Sequence, residues 1–141
     1  MTQDDLARIV GSARTAAVVG MKDEGSPGAP AFYVPEAMQR AGIRVIPVNP
    51  TIEASLGEPA RDSLSQVDEP VDVVVVFRRS DAVPAVADDV LALPSERRPK
   101  VVWMQTGIIH EDSAARLRAA GIQVVMDRCF KVELARAGRG M

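Results

Sequence analysis

The stretch VDVVVVFRRSDAV, residues 71–83, decides the fold of this chain. Its valines follow one another without the in-and-out alternation of a half-exposed strand. Such a run indicates a strand that is buried on both faces, as in a parallel sheet. The apolar run then stops abruptly at Arg78 and Arg79. A buried central strand that ends in two permanent cations raises the question of what those cations bind.

Similar apolar segments recur on both sides of this strand. They predict further strands at residues 15–20, 43–48, 100–104 and 122–126, and they alternate with segments of helical periodicity. Thr2 is expected to cap the first helix, and the last four residues, GRGM, are expected to be frayed. The alternation predicts an α/β fold, a Rossmann-like doubly wound parallel sheet of about five strands with helices on both faces.

Length and composition narrow the possible functions. The 141 residues are expected to form one domain, residues 1–141, with a core at about residues 10–135. A net charge of −2 gives no reason to expect nucleic acid or an anionic membrane as a partner. One cysteine and one histidine cannot assemble a zinc site, so no metal is expected. The acidic N-terminus and the lack of a long apolar run favour a cytoplasmic protein without a membrane span.

Positive side chains follow several of the predicted strands. Ligands of doubly wound sheets bind outside the carboxyl ends of the strands, where the strand order reverses. Lys22, Arg78, Arg79 and Arg128 all occupy such positions, and helix N-termini at the same edge add free N–H groups. The sequence therefore predicts a site for a phosphorylated ligand. The alternative, that these cations are solvated and paired with neighbouring acids such as Asp81, stays open at this stage.

The common nucleotide motifs are absent. Glycines at positions 20, 25 and 28 do not form G-x-G-x-x-G, and Asn49 stands where an NAD-binding protein needs an acid after the second strand. The spacing from Gly20 to Gly25 suits a Walker loop, but Ser26 follows where that loop needs lysine. Neither NAD binding nor ATP hydrolysis is predicted.

Five strand-end motifs carry a family resemblance. The sequences VVGMKD, IRVIPVNP, VDVVVVFRRS, VVWMQTGI and VVMDRCFKVE, in this order and spacing, resemble the small CoA-binding-domain protein family. That family is in turn similar to the N-terminal CoA-binding domain of the succinyl-CoA synthetase α-subunit. The resemblance covers roughly residues 10–135. It departs at Met21-Lys22, where many relatives have a small residue and serine, and at Ala29, where relatives often carry arginine.

The resemblance implies that CoA lies across the carboxyl edge of the sheet. Loop 20–30 and the following helix N-terminus would hold phosphates, Asn49-Pro50 and Phe77-Arg78 would flank the adenosine, and Met104-Gln105 would line the crevice near the pantetheine. Together with the strand-end cations, the predicted cofactor-binding residues are Gly20, Lys22, Pro30, Asn49, Pro50, Phe77, Arg78, Met104, Gln105 and Arg128. CoA carries a diphosphate and a 3′-phosphate, which suits cations dispersed along an edge.

The sequence offers no convincing set of acid, base and nucleophile, so no catalytic residue is predicted. The favoured hypothesis is a non-catalytic protein that binds CoA or acyl-CoA, either to sense it or to present it to a partner. The alternative is an enzyme, or a subunit of an acyl-CoA ligase-type complex that needs a separate catalytic chain. Homo-oligomerisation stays open, as does a mixed disulfide between Cys129 and CoA, although packing is the favoured interpretation of that cysteine.

Overall fold

The computed structural model describes residues 1–139 and consists of a parallel sheet covered by helices. The sheet strands are β1 (Thr15–Val19), β2 (Arg44–Val48), β5 (Val73–Val76), β6 (Val101–Met104) and β7 (Gln123–Val125). The helices are α1 (Gln3–Ser12), α2 (Pro30–Arg40), α3 (Val83–Ala92), α4 (Glu111–Ala119) and α5 (Phe130–Arg136). Two short strands, β3 (Ala54–Ser55) and β4 (Glu58–Pro59), pair in the connector between β2 and β5.

The strand order is β2-β1-β5-β6-β7, and every neighbouring pair in this sheet is parallel. The chain first moves from β1 to β2 on one side and then returns to pair β5 with the other side of β1. The order therefore reverses between β1 and β5, which makes that boundary the switch point of the sheet. The predicted Rossmann-like α/β fold is confirmed.

The sheet is buried on both faces, as the valine run predicted. Helices α1, α2 and α5 cover one face with a cluster that includes Val10, Met38 and Phe130, and α3 and α4 cover the other. All four residues of β5 are at most 1% exposed. Trp103 of β6 is fully buried against Phe130, with ring centroids 4.7 Å apart. Among the helices of residues 1–139, none combines the length and apolarity that crossing a bilayer demands.

The connector between β2 and β5 folds back onto the loop that follows β1. The hydroxyl of Ser55 donates to the carbonyl of Lys22 at 2.9 Å, and the backbone N–H of Leu56 donates to the Glu24 carboxylate at 3.1 Å. Arg44 donates to Glu58 at 3.0 Å, and this hydrogen bond holds the pKa of Glu58 below its usual value. The β3–β4 pair thus positions the loop after β1.

Specific hydrogen bonds hold Thr2 near the start of the chain and Arg139 near its end. Thr2 caps α1 as predicted: its hydroxyl accepts from the Asp5 N–H at 3.1 Å. The prediction of a frayed tail is wrong for Arg139, whose guanidinium donates to the carbonyls of Val10 and Ala13 at 2.7 Å and of Ala41 at 3.3 Å. These carbonyls terminate α1 and α2, where a cation is favourable. The predicted fraying of residues 140–141 lies outside the described residues.

An Arg139→Ala variant is expected to lower the free energy of unfolding by roughly 1–2 kcal/mol, because three helix-end carbonyls lose a charged donor. Urea denaturation followed by circular dichroism measures this change. Arg118→Ala is the control, since Arg118 is exposed and its side chain makes no hydrogen bond within residues 1–139. Equal losses in both variants would show that the Arg139 contacts do not stabilise the fold.

Candidate functional site

A groove of about 600 Å³, here called the edge groove, lies at the carboxyl ends of β1, β5 and β6. One wall is formed by the loop after β1 together with the first turn of α2. The opposite wall is formed by Phe77 after β5, by Gln105, Thr106 and Ile108 after β6, and by Cys129. The groove therefore lies across the switch point, where the strand order predicts a ligand site.

A second cavity of about 160 Å³, here called the side pocket, adjoins the groove. It is lined by Asn49 and Pro50 after β2, by Asp62 and its neighbours in the connector, by Arg78, and by one side of α3 as far as Asp89. Gly20 lines both cavities. The edge groove and the side pocket consequently meet across Gly20, and together they extend over the ends of β2, β1, β5 and β6.

Gly20 forms the floor where the two cavities meet. Its backbone has φ +82°, and a Cβ atom at this position would overlap the carbonyl oxygen of Phe77 and lie 3.1 Å from the carbonyl carbon. Its N–H donates to the carbonyl of Val48 at 2.9 Å, which ties the end of β1 to β2. Only glycine combines this conformation with this close approach of β5. The close packing of β1 against β5 therefore requires glycine at this position.

Lys22 and Arg78 are the cations beside this floor. Both side chains are exposed, and neither has an ion-pair partner in residues 1–139. The Cδ of Arg78 lies close above Gly20, 3.2 Å from the place a Cβ would take. Arg79, by contrast, pairs with Asp81 at 3.3 Å, and its side chain is 88% exposed. Pairing with a neighbouring acid thus explains Arg79 but not the other two cations.

The N-terminus of α2 points at the same groove. Pro30 is its first residue, and Ala29 at the cap position supplies no side-chain hydrogen bond. The first turn of α2 also carries no acid. The positive end of the helix dipole is therefore not compensated by the protein, and such an end favours a bound anion. The N–H of Lys22 donates to the Ala31 carbonyl at 3.0 Å, which fixes the loop against the helix.

Asn49 shapes the site through the backbone. Its side-chain nitrogen donates to the Met21 carbonyl at 2.9 Å, and its side-chain oxygen accepts from the N–H and the hydroxyl of Thr51 at 2.9 and 2.7 Å. These bonds connect the loop after β1 to the loop after β2. Through these bonds Asn49 holds the wall of the side pocket in place, and its Nδ2 keeps a second N–H beyond the one given to Met21. Pro50 beside it is exposed.

Met104 and Gln105 are adjacent in sequence but differ in position. Gln105 lines the edge groove although only 4% of its surface is exposed, and its side-chain oxygen accepts from the N–H of Phe130 at 2.9 Å. Met104 is fully buried in the cluster under α3 and α4 and does not line the groove. Of this predicted pair, only Gln105 lines the groove, because successive strand residues point to opposite faces.

Arg128 follows β7 at the same edge of the sheet, but its side chain lies apart from Lys22 and Arg78. It borders a different surface, beside Met1 and Leu6, and donates to the Asp127 carbonyl at 3.1 Å. β7 is three strands away from β1 in the sheet. The end of β7, which Arg128 follows, is therefore roughly 14 Å from the end of β1, which Lys22 follows. The structure therefore does not bring Arg128 into the predicted cation cluster.

Several groove residues were absent from the predicted set. Tyr33 and Thr106 line the groove, and the Lys131 ammonium lies 5.1 Å from the Tyr33 ring centroid. Cys129, a half-buried free thiol, occupies the N-cap position of α5 and also lines the groove. Helical spacing from Pro30 could have placed Tyr33 at this wall.

His110 caps α4, where its side chain accepts a hydrogen bond from the Ser113 N–H at 3.2 Å, and it does not line the groove.

Two relatives match almost the whole chain. The "Uncharacterized protein YneT" of Bacillus subtilis (strain 168) is 41% identical over 128 residues, which are 91% of this chain and 90% of that protein. The structure of "cell-free ID.343" from Thermus thermophilus is 40% identical and covers 97% of this chain and 99% of its own, with a TM-score of 0.88.

A more distant likeness concerns the fold alone. A "dinucleotide forming Acetyl-coenzyme A synthetase 1" of Ca. Korarchaeum cryptofilum, solved with phosphate and ADP, is 24% identical with a TM-score of 0.64. The match covers 86% of this chain but 27% of that one, so the same sheet occurs there as one part of a much longer protein.

A family model described as "CoA binding domain" matches residues 14–135, from the residue before β1 to the next-to-last residue of α5. This range contains the edge groove, the side pocket and all the strand-end motifs that carried the resemblance. The chain therefore belongs to the CoA binding domain family.

Proposed function

We propose that this protein binds CoA or acyl-CoA across the edge groove and the side pocket, and that it carries out no catalysis by itself. One observation carries the proposal: in a member of the CoA binding domain family, Lys22 and Arg78 lie beside the glycine floor at the switch point, and neither pairs with an acid of residues 1–139. Cations at such a floor are suited to phosphate oxygens.

The donors of the two cavities fit the parts of a CoA molecule. Lys22, Arg78 and the uncapped N-terminus of α2 would hold phosphate groups. The side pocket, walled by Asn49-Pro50, would take the adenosine. The edge groove, with Phe77 and Ile108 among its walls, would take the pantetheine arm. The protein thus offers positive charge for the phosphates and apolar surface for the uncharged arm.

The lining of the edge groove supports a binding role. It includes no aspartate, glutamate or histidine, so the residues that line it offer no carboxylate or imidazole as a general base. The Cys129 thiol lies in the groove without such a base among the lining residues. A groove with one cation, one buried amide and mainly apolar walls is suited to holding a ligand.

Isothermal titration calorimetry is expected to give a lower Kd for CoA than for 3′-dephospho-CoA, NAD or ATP. The reason is that the cations are spread over two cavities, which suits a ligand with phosphates at two separate places. The Kd for CoA should rise as the salt concentration rises from about 0.05 to about 0.5 M, because salt screens the phosphate contacts. Equal or tighter binding of NAD or ATP at low salt would contradict the proposed function.

The alternative role, as one subunit of an acyl-CoA ligase, has no specific support in the geometry. The acetyl-CoA synthetase shares the fold at 24% identity, and this chain corresponds to 27% of it. Incubation with ATP, CoA and a carboxylic acid, with and without cell extract, tests the alternative. Acyl-CoA formation that requires both this protein and a copurifying chain would favour it over the binding role.

A further inference from the structure

Gln105 presents a buried amide that the protein uses at one end only. Gln105 follows the carboxyl end of β6 and forms part of the groove wall, and only 4% of the residue's surface is exposed. The N–H of Phe130 donates to its side chain at 2.9 Å. An N–H donor requires an acceptor, so this bond fixes the oxygen towards Phe130 and leaves Nε2 as the free end.

The Nε2 atom has two N–H donors and no hydrogen-bond partner in residues 1–139. Within residues 1–139, one side-chain nitrogen or oxygen atom is both closed off from solvent and without a hydrogen-bond partner. That atom is Nε of Arg98 and not Nε2 of Gln105. Nε2 of Gln105 is therefore not fully enclosed, and the open space that Gln105 borders is the edge groove. Nε2 therefore presents two N–H donors to the groove from a side chain that is otherwise buried, and a ligand acceptor can replace water at these donors.

The surroundings favour an uncharged acceptor. β5 separates β1 from β6, so the strand ends that carry Lys22 and Gln105 are roughly 10 Å apart. The groove residues nearest to Gln105 in sequence and along the neighbouring strand are Thr106, Ile108 and Phe77, none of which is charged. A neutral donor away from the cation suits a carbonyl oxygen, whereas a phosphate is better held at the Lys22 end.

We propose that Gln105 is a specificity-determining residue whose Nε2 donates to a carbonyl oxygen of the bound CoA compound. This inference rests on the proposed CoA-binding function. Two carbonyl sources share the chemistry: the thioester of an acyl-CoA, and the amides of the pantetheine arm. The thioester exists only in acyl-CoA, so Gln105 would sense acylation if its Nε2 binds the thioester carbonyl. The amides exist in every CoA compound, so Gln105 would not distinguish CoA from acyl-CoA if its Nε2 binds one of them.

Two variants remove the donor in different ways. Gln105→Glu keeps an oxygen for the Phe130 N–H at nearly the same size, but replaces the donors by an acceptor. Gln105→Met removes the donors without adding charge. Gln123→Glu is the matched control, since Gln123 is exposed at the start of β7, at the opposite edge of the sheet. Thermal unfolding of each variant checks that the fold is retained.

Calorimetry with CoA, acetyl-CoA and S-ethyl-CoA, a thioether without the thioester carbonyl, distinguishes the sources. Both Gln105 variants are expected to bind about ten- to a hundredfold more weakly, with Gln123→Glu unchanged. A loss confined to acetyl-CoA identifies the thioester carbonyl, and an equal loss for all three ligands identifies the pantetheine amides.

The inference is overturned if both variants bind all three ligands within about twofold of the unmodified protein. It is also overturned if only Gln105→Glu loses affinity, because charge repulsion would then be the cause. Either outcome leaves CoA binding itself intact. If the unmodified protein binds none of the three ligands, the proposed function fails instead.

Discussion

A Gly20→Ala variant is expected to lower the free energy of unfolding by about 3 kcal/mol. At φ +82° an alanine is strained by roughly 1–2 kcal/mol, and its Cβ would overlap the Phe77 carbonyl oxygen. Moving β5 away from β1 to relieve that overlap adds an overpacking cost of roughly 1–3 kcal/mol. Differential scanning calorimetry should show a Tm lower by roughly 10 °C.

The same variant should also bind CoA much more weakly, because Phe77 and Arg78 must shift for the Cβ to fit. Gly28→Ala is the matched control in the same loop. Gly28 lacks a positive φ, and a Cβ there meets no atom within 4 Å. If Gly20→Ala and Gly28→Ala unfold at the same temperature, the close approach of β1 and β5 is not what requires glycine.

The double variant Lys22→Glu/Arg78→Glu is expected to weaken CoA binding by at least about a hundredfold. Each charge-assisted contact with a phosphate contributes roughly 1.5–3 kcal/mol, and a factor of ten in Kd corresponds to about 1.4 kcal/mol. The fold should be unaffected, because both side chains are exposed and have no ion-pair partner in residues 1–139. Calorimetry at about 0.15 M salt measures the loss while long-range charge effects are screened.

Arg79→Glu/Arg128→Glu changes the net charge by the same amount and serves as the control. Arg79 pairs with Asp81, and Arg128 borders a different surface, so neither side chain lies at the groove floor. This variant should bind CoA within roughly threefold of the unmodified protein. Comparable losses in the two double variants would mean that CoA responds only to the overall charge of the edge.

The sequence predicted the fold well because the signals were local and repeated. The unalternating valines of β5 indicated burial on both faces, and each of them is buried. The glycine after β1 and the cations after β1 and β5 followed from the rule that ligands bind at the carboxyl edge. These residues lie next to the switch point, so their places in sequence and in space agree.

Arg128 and Met104 show where such reasoning stops. A strand-end position fixes the edge of the sheet but neither the distance along that edge nor the direction of the side chain. Arg128 is remote because β7, which it follows, lies three strands from β1 in the sheet. Met104 is buried in the core because side chains alternate between the two faces of the strand. Both facts depend on pairing between distant segments, which local sequence patterns do not report.

The connector was the least predictable part of the site. The β3–β4 pair holds the loop after β1 through hydrogen bonds at Ser55 and Leu56. Residues next to Ser63 also line the side pocket. Contacts of this kind arise when an irregular segment folds back on a distant loop, and no periodic pattern signals them.

The strand order has a consequence for motion. Lys22 and Arg78 follow strands that are neighbours in the sheet but distant along the chain. An occupant held by both would act as a removable cross-link between two separate loops, so neither loop could open without first releasing it. Fluctuations that are independent in the free protein would become concerted, and amide hydrogen exchange at the ends of β1 and β5 would slow together.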